Sequence, residues 1–292
     1  MSFVPVTHVA RINSMEENFR PYLFRHFAES GIRNLVLESS LMPACLKDPF
    51  LPEKLLKVAG ETGITFVDGH AHFPDPLCPS YPIEAKRPFM LDYLKLEIRI
   101  AADFGVKTLT VHTGNNFDRS LPAGVYREAM YRSLDVLLPE AEKQGIILAL
   151  ENIWTVPNTG NELVLAMEKF PSKNLGLCYD SGHANIMKFA RSENSPARIW
   201  WDSPEEIPQD DQILEKMLPY VVNCHLHDNH GLKDEHLLPG KGNIDWDHIM
   251  GLLKKAPRLQ CIQNESSSFL ATSAPAREVA ELFEELCSKT GC

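Results

Sequence analysis

The chain has 292 residues, 44% of them hydrophobic and 23% charged, a composition that reads as a soluble globular protein and excludes a disordered or fibrous one. Its formal net charge of -10 leaves no basic excess for gripping phosphates, so a nucleic-acid partner is not expected. No run approaches the roughly 18 apolar residues that cross a bilayer, so no membrane segment is expected either.

In chain order, short apolar runs rich in β-branched residues fall at 4–9, 34–37, 65–67, 108–111, 146–150, 175–179, 221–224 and 260–262. None has the strict alternation of a half-exposed strand, which is how strands buried on both faces of a parallel sheet read. Amphipathic stretches lie between them. Helices are expected at 15–30, 51–62, 90–104 and 124–144, each ending just before Gly31, Gly63, Gly105 or Gly145, where a left-handed cap suits glycine. SGIRNLVLE, TGITFVDGH, FGVKTLTVH and QGIILALEN repeat one helix–cap–strand junction. Shorter helices are expected at 162–170, 246–255 and 275–288. Eight such units without a linker predict a single (β/α)8 TIM barrel over 1–292, of the α/β class. One departure is the extended loop after the sixth strand, 183–219, which carries Trp200 and Trp201: either a lid over a ligand or packing against a neighbouring helix or subunit.

The seven cysteines lack any C-x-x-C spacing, which suits reduced, mostly buried thiols better than a disulfide framework. MSFVPVTHVARINS lacks the basic and then apolar pattern of a secretory signal, so the expected location is the cytoplasm. The sequence leaves a homo-oligomer open.

Barrel enzymes build their active sites at the C-terminal strand ends, and polar residues recur there: Glu38, His70 with His72, His112, Glu151 with Asn152, Asp180 with His183, His225 with Asp228, and Glu265. Convergence of seven strand ends on one axis is the argument for a site. The densest stretch is VVNCHLHDNHGLKDEHLLPGKGNIDW from Val221 to Trp246, where His225, Asp228, Asp234 and His236 follow a buried run. Imidazole and carboxylate together suit a borderline divalent cation such as zinc or manganese. Glu151 and Glu265 emerge at or just beyond buried strands, where an unpaired carboxylate is costly and coordination removes the cost. For Asp180 a helix-capping role stands beside metal ligation. His8, His26 and His248 read as ordinary polar histidines.

The motifs ALEN around Glu151, CYDSGHAN around Asp180, CHLHDN around His225, LPGKGNIDW and QNES around Glu265 resemble the xylose isomerase-like barrels, and within them the sugar phosphate isomerase/epimerase group. The resemblance implies one divalent ion (manganese, zinc, cobalt or magnesium) held by Glu151, Asp180, His225 and Glu265. It implies proton transfer next to a sugar carbonyl by the two glutamates, with His183 and Asp228 holding substrate hydroxyls. The natural sugar is left open, because Asn229-His230 stand where related epimerases often carry a basic residue. It also implies an alternative, since the apurinic-site endonucleases of the same superfamily use three zinc ions. Their additional pattern is matched by His70 or His72, His112, Asp234 and His236. A sugar or cyclitol dehydratase is a further alternative. No phosphate-gripping glycine loop is present, so a phosphorylated sugar is not favoured over a free one.

Overall fold

A computed structural model describes residues 4–73, 77–115, 117–266 and 274–288. Eight parallel strands, β1 Val6–His8, β2 Asn34–Leu37, β3 Thr65–His70, β4 Thr108–Val111, β5 Ile147–Glu151, β6 Leu175–Asp180, β7 Val221–Leu226 and β8 Cys261–Asn264, close into a barrel in sequence order. Every expected strand is present. Several run further than expected, because the parallel ladder continues as long as a neighbour supplies partners: Glu151 pairs in register with Cys178, and Asp180 with His225. The site residues are thus the last rungs of the ladder.

Among the described residues ten helices surround the strands: α1 Arg20–Glu29, α2 Leu41–Lys47, α3 Leu51–Thr62, α4 Arg87–Asp103, α5 Ala123–Gln144, α6 Gly160–Lys169, α7 Ser181–Lys188, α8 Ile213–Met217, α9 Trp246–Leu253 and α10 Ala276–Ser288. Gly31, Gly63, Gly105 and Gly145 all take positive φ, between 70° and 95°, as the cap pattern requires. The first helix starts later than expected and α4 earlier, each with a proline in its first turn. Proline has no N–H to donate and belongs at a helix start. The loop after β6 is built from α7, a 3-10 turn over Pro196–Trp200 and α8. Its two tryptophans part company there. Trp201 donates to the Ala190 carbonyl at 3.0 Å, whereas Trp200 is 2% exposed and faces Phe117.

Residues along each strand divide between two environments. Leu109, Val111, Leu148 and Leu150 face outward onto Leu94 and Ile98 of α4 and Leu134 and Leu137 of α5. Between them in sequence, Thr108, Thr110, Ala149 and Glu151 meet partners across the barrel interior. The six described cysteines are buried and form no disulfide with one another; Cys292 lies outside the described residues. No helix among the described residues is long and apolar enough to cross a membrane.

Candidate active site and metal centre

Glu151, the last residue of β5, is 1% exposed and surrounded by imidazoles. Its Oε2 lies 3.0 Å from His112 Nε2 and 3.4 Å from His70 Nε2. Oε1 lies 3.3 Å from His183 Nδ1 and 3.4 Å from His225 Nδ1. His225 Nδ1 is also 3.0 Å from Glu265 Oε2 and 4.0 Å from Asp180 Oδ2. One oxygen of Asp180 accepts the His183 backbone N–H at 2.6 Å, capping α7, while the other faces the cluster. The capping and site-facing roles read from the sequence therefore coexist in one carboxylate. Glu151, Asp180, His225 and Glu265 offer ligand atoms that all lie within 4.8 Å of one another.

A second group adjoins the first. Asp234 Oδ2 lies 3.0 Å from His236 Nε2 and 3.7 Å from His183 Nε2, and the His236 and His227 rings stack with centroids 3.9 Å apart. His227 Nε2 is 3.2 Å from Asp180 Oδ2. Glycine at 182 permits this approach, because a Cβ there would collide with the His227 ring.

The outer nitrogens of these rings reveal what the inner ones want. His70 Nδ1 is 2.8 Å from the Ala71 carbonyl and His236 Nδ1 is 2.8 Å from the Glu265 carbonyl. A carbonyl only accepts, so each Nδ1 carries a proton and a neutral ring leaves Nε2 with a bare lone pair. That lone pair faces a carboxylate oxygen, acceptor against acceptor, an arrangement that requires a cation or a proton between them. The Glu151 Oε2 and His225 Nδ1 atoms are buried without a well-formed hydrogen bond. The residues present fit a divalent ion: oxygen and nitrogen donors, buried, convergent and held from behind.

Titration reflects the same crowding. Burial disfavours charge at Glu151, but the facing His112 and His225 outweigh it and hold the carboxyl well below its usual range. Glu265 and Asp234 are likewise lowered against burial, chiefly by His225 and by His183 with His236 respectively. Burial pulls the imidazoles down, yet the carboxylates raise His183 to about 10 and His236 to about 9.

His70, His112, Glu151, His183, Asp234, His236 and Glu265 line a cavity of about 540 Å³ whose walls include Phe73, Phe117, Trp154 and Trp200, with Asp180, His225 and His227 behind them. Two expected site residues lie elsewhere. His72 turns outward, its backbone N–H on Glu97 and its ring near Tyr93, because β3 ends at His70 and the chain bends away; His70 takes the inward place. Asp228 is fully buried but outside the cavity lining. Its carboxylate accepts from Asn229, Gly240 and the Trp246 indole, so it fixes the 239–246 turn and has no oxygen to spare for a substrate hydroxyl. His227 was not singled out as a site residue, although its spacing of two from His225 carries it to the same side of the barrel.

Residues 36–284 match the family model described as xylose isomerase-like TIM barrel. The chain is 29% identical over 165 residues to the protein y4fM of Sinorhizobium fredii, a match covering 54% of this chain and 47% of that protein, so it spans about half the length of that relative. It is 25% identical over 183 residues to the probable endonuclease 4 of Mycoplasma mobile, covering 58% of each. Among solved structures, a D-tagatose 3-epimerase-like protein superposes with a TM-score of 0.75 at 21% identity, covering 99% of this chain and 98% of the other.

Proposed function

The chain belongs to the xylose isomerase-like TIM barrel family, and from that premise we propose that it is a metal-dependent isomerase or epimerase of a small sugar. The observation that carries the reading is the placement of two glutamates. Glu151 and Glu265 approach one nitrogen, His225 Nδ1, at 3.4 and 3.0 Å, beneath a cavity of the size small-molecule sites have. Paired carboxylates at one metal position are more than binding requires, and they suit a reaction that removes a proton on one side of a carbon and returns it on the other.

In this reading Glu151, Asp180, His225 and Glu265 hold one divalent ion. The ion, when bound, supplies Lewis acidity that makes a hydrogen next to the sugar carbonyl easier to remove. One glutamate accepts that proton and the carbonyl oxygen takes up the electron pair; the other glutamate delivers a proton to the same carbon or its neighbour. The surrounding imidazoles hold both carboxyls below their usual range, which suits the glutamate that accepts the proton; the other delivers only after it has taken up a proton of its own. His183, which lines the cavity, presents Nε2 for a substrate hydroxyl. The aromatic walls offer apolar faces to the C–H side of a sugar and exclude water.

A second reading, a zinc-dependent phosphoesterase, has a specific observation in its favour. Glu151 Oε2 reaches both His70 and His112, and Asp234 lies between His183 and His236, so ligands for further ions flank the first position. The acidic balance of the chain counts against a nucleic-acid substrate.

Incubation with a panel of pentoses and hexoses in deuterated water separates the two. The isomerase reading expects deuterium on the carbon next to the carbonyl, and metal analysis near one ion per chain. Steady cleavage of a model phosphodiester with no carbon-bound deuterium from any sugar, at three zinc ions per chain, overturns it.

A further inference from the structure

Among the described residues, two that are not glycine have positive φ, Arg11 at 48° and His236 at 50°, and both line the cavity. A side chain in the left-handed region is sterically disfavoured, and such strain persists where the surroundings hold it and clusters at binding sites. At His236 the reason is visible, since the ring is set against Asp234. Arg11 needs a reason of its own.

The surroundings that hold it are specific. Glu38, at the exit of β2 and 8% exposed, accepts the Ile12 backbone N–H at 2.6 Å and lies 3.3 Å from the Ser40 hydroxyl. Ser14 N–H closes back on the Arg11 carbonyl at 3.0 Å. The Arg11 charge acts on Glu38, but that carboxylate's hydrogen bonds go to Ile12 and Ser40, and the guanidinium makes no hydrogen bond or ion pair with another described residue. Arg11 follows β1, whose exit adds no carboxylate or imidazole to a lining that carries eight of them elsewhere. The other arginine of the lining, Arg119, follows β4, three strands from β1 in the closed order.

We propose that Arg11 is the specificity-determining residue of this site and selects a sugar acid, by pairing its guanidinium with a carboxylate carried at the end remote from the reacting carbon. The proposal rests on the sugar isomerase reading for the remainder of the ligand. A single guanidinium offers two parallel N–H donors that match the two oxygens of one carboxylate. A phosphate, with three oxygens and more charge, ordinarily gathers several donors such as backbone N–H groups at a glycine-rich turn, and the Arg11 turn provides one arginine with no such loop.

The test is a matched series differing only at the terminal carbon: D-glucose, D-glucuronate and D-glucose 6-phosphate, with the corresponding galacto and manno series. Binding to the metal-loaded protein is measured by calorimetry. In at least one series the acid is expected to bind roughly tenfold or more tighter than the neutral sugar, the scale of a charge-assisted hydrogen-bonded pair. Arg11→Asn keeps a residue that tolerates this backbone and removes the charge; it should cancel the preference, so that acid and neutral sugar bind this variant alike. Arg119→Asn should keep the preference. Equal or undetectable binding of every acid, a stronger preference for the phosphate, or a preference lost with Arg119 and kept without Arg11 each overturns the proposal. Because binding is read without turnover, an Arg11-dependent preference unaccompanied by solvent exchange breaks the isomerase reading alone, and exchange without the preference breaks this one alone.

Discussion

The barrel mouth and the shell between α4, α5 and the strands beneath them are made by the same strands and obey opposite rules. In the shell, Leu94, Ile98, Leu134 and Leu137 close on Leu109, Val111, Leu148 and Leu150 and leave about 10 Å³, too little to hold a water comfortably. At the mouth, carboxylates and imidazoles crowd at 3.0 to 3.4 Å around a cavity of about 540 Å³. Leu148 and Leu150 serve the first region and Glu151 the second, a single step along β5. Stability is concentrated where contacts are dry and saturated, and chemistry where polar atoms are buried but incompletely satisfied.

The largest expected effect tests the mouth. Glu151→Gln removes the charge shared by four imidazoles and one of the two proposed proton-transfer groups. Solvent exchange on one face of the substrate carbon should fall by roughly a thousandfold, within the range for losing a general base. Metal content should drop below one ion per chain, while far-ultraviolet circular dichroism stays that of the parent. Parent-like metal content and exchange would remove Glu151 from the site.

Leu148→Ala tests the shell and should give the reverse pattern. It leaves a cavity among residues that cannot easily collapse, so unfolding free energy from urea titration should fall by about 2 to 5 kcal/mol. Metal stoichiometry of the folded protein should not change. If metal binding fails with the packing, the two regions are not separable in the way their geometry indicates.

How much of this was legible in the sequence follows from the same division. The shell announces itself, because outward leucines and valines recur beside amphipathic helices and each helix ends at a glycine whose conformation is dictated by its cap. The mouth announces itself only in part. Glu151, Asp180 and His225 stand out as polar residues closing apolar runs, yet a buried strand with apolar residues on one face and small ones on the other reads as continuous, hiding which face a residue occupies. The inward places of Thr110 and Asn223 were invisible for that reason, and so was the choice of His70 over His72, which depends on where β3 stops. Asp228 sits in a motif beside true cavity residues, but its carboxylate is consumed by backbone N–H groups of a turn that only the folded chain brings near. Arg11 has no motif, since its significance lies in a backbone angle.

Glu97 sharpens the comparison because it places a mouth-type group on a shell helix. It lies on α4, is fully buried, and accepts the His72 backbone N–H at 3.2 Å; burial, only partly offset by that bond, raises its pKa from 4.5 to about 8. A raised carboxyl binds more protons folded than unfolded between those values, so its contribution is fully present below about pH 4.5 and is lost as pH rises through about 8. Glu97→Gln keeps an acceptor for His72 and abolishes the titration. The variant should match the parent near pH 4.5 and exceed it at pH 8 to 9 by on the order of 2 to 4 kcal/mol. Parallel stability curves across that range would show that Glu97 does not carry the buried proton.

The smallest expected effect lies at the boundary between the two regions, directly beneath the site. Thr110 Oγ1 is 3.3 Å from His225 Nε2 and accepts from Asn223 Nδ2 at 3.3 Å, while Asn223 Nδ2 also reaches Asp68 Oδ2 at 3.2 Å. All four residues are fully buried. With its lone pair engaged by the asparagine, the threonine hydroxyl has its proton to direct or a second lone pair to offer, and either fixes the His225 ring so that Nδ1 points at Glu151 and Glu265. Thr110→Val is nearly isosteric and deletes the hydroxyl's links to His225 and Asn223, while Asn223 keeps its bond to Asp68, so the barrel should remain folded with a cost of about 1 kcal/mol. Metal affinity should weaken roughly tenfold, at the lower end of what loss of a partner behind a ligand costs, because the ring keeps its place by packing but loses its fixed orientation. Thr110→Ser restores the hydroxyl and should recover most of the affinity, an outcome that separates orientation of the ring from packing around it. Equal metal affinity in parent and Thr110→Val, by competition with a chelator, would mean that the geometry of the mouth is set by the strands alone and owes nothing to the polar ladder beneath it.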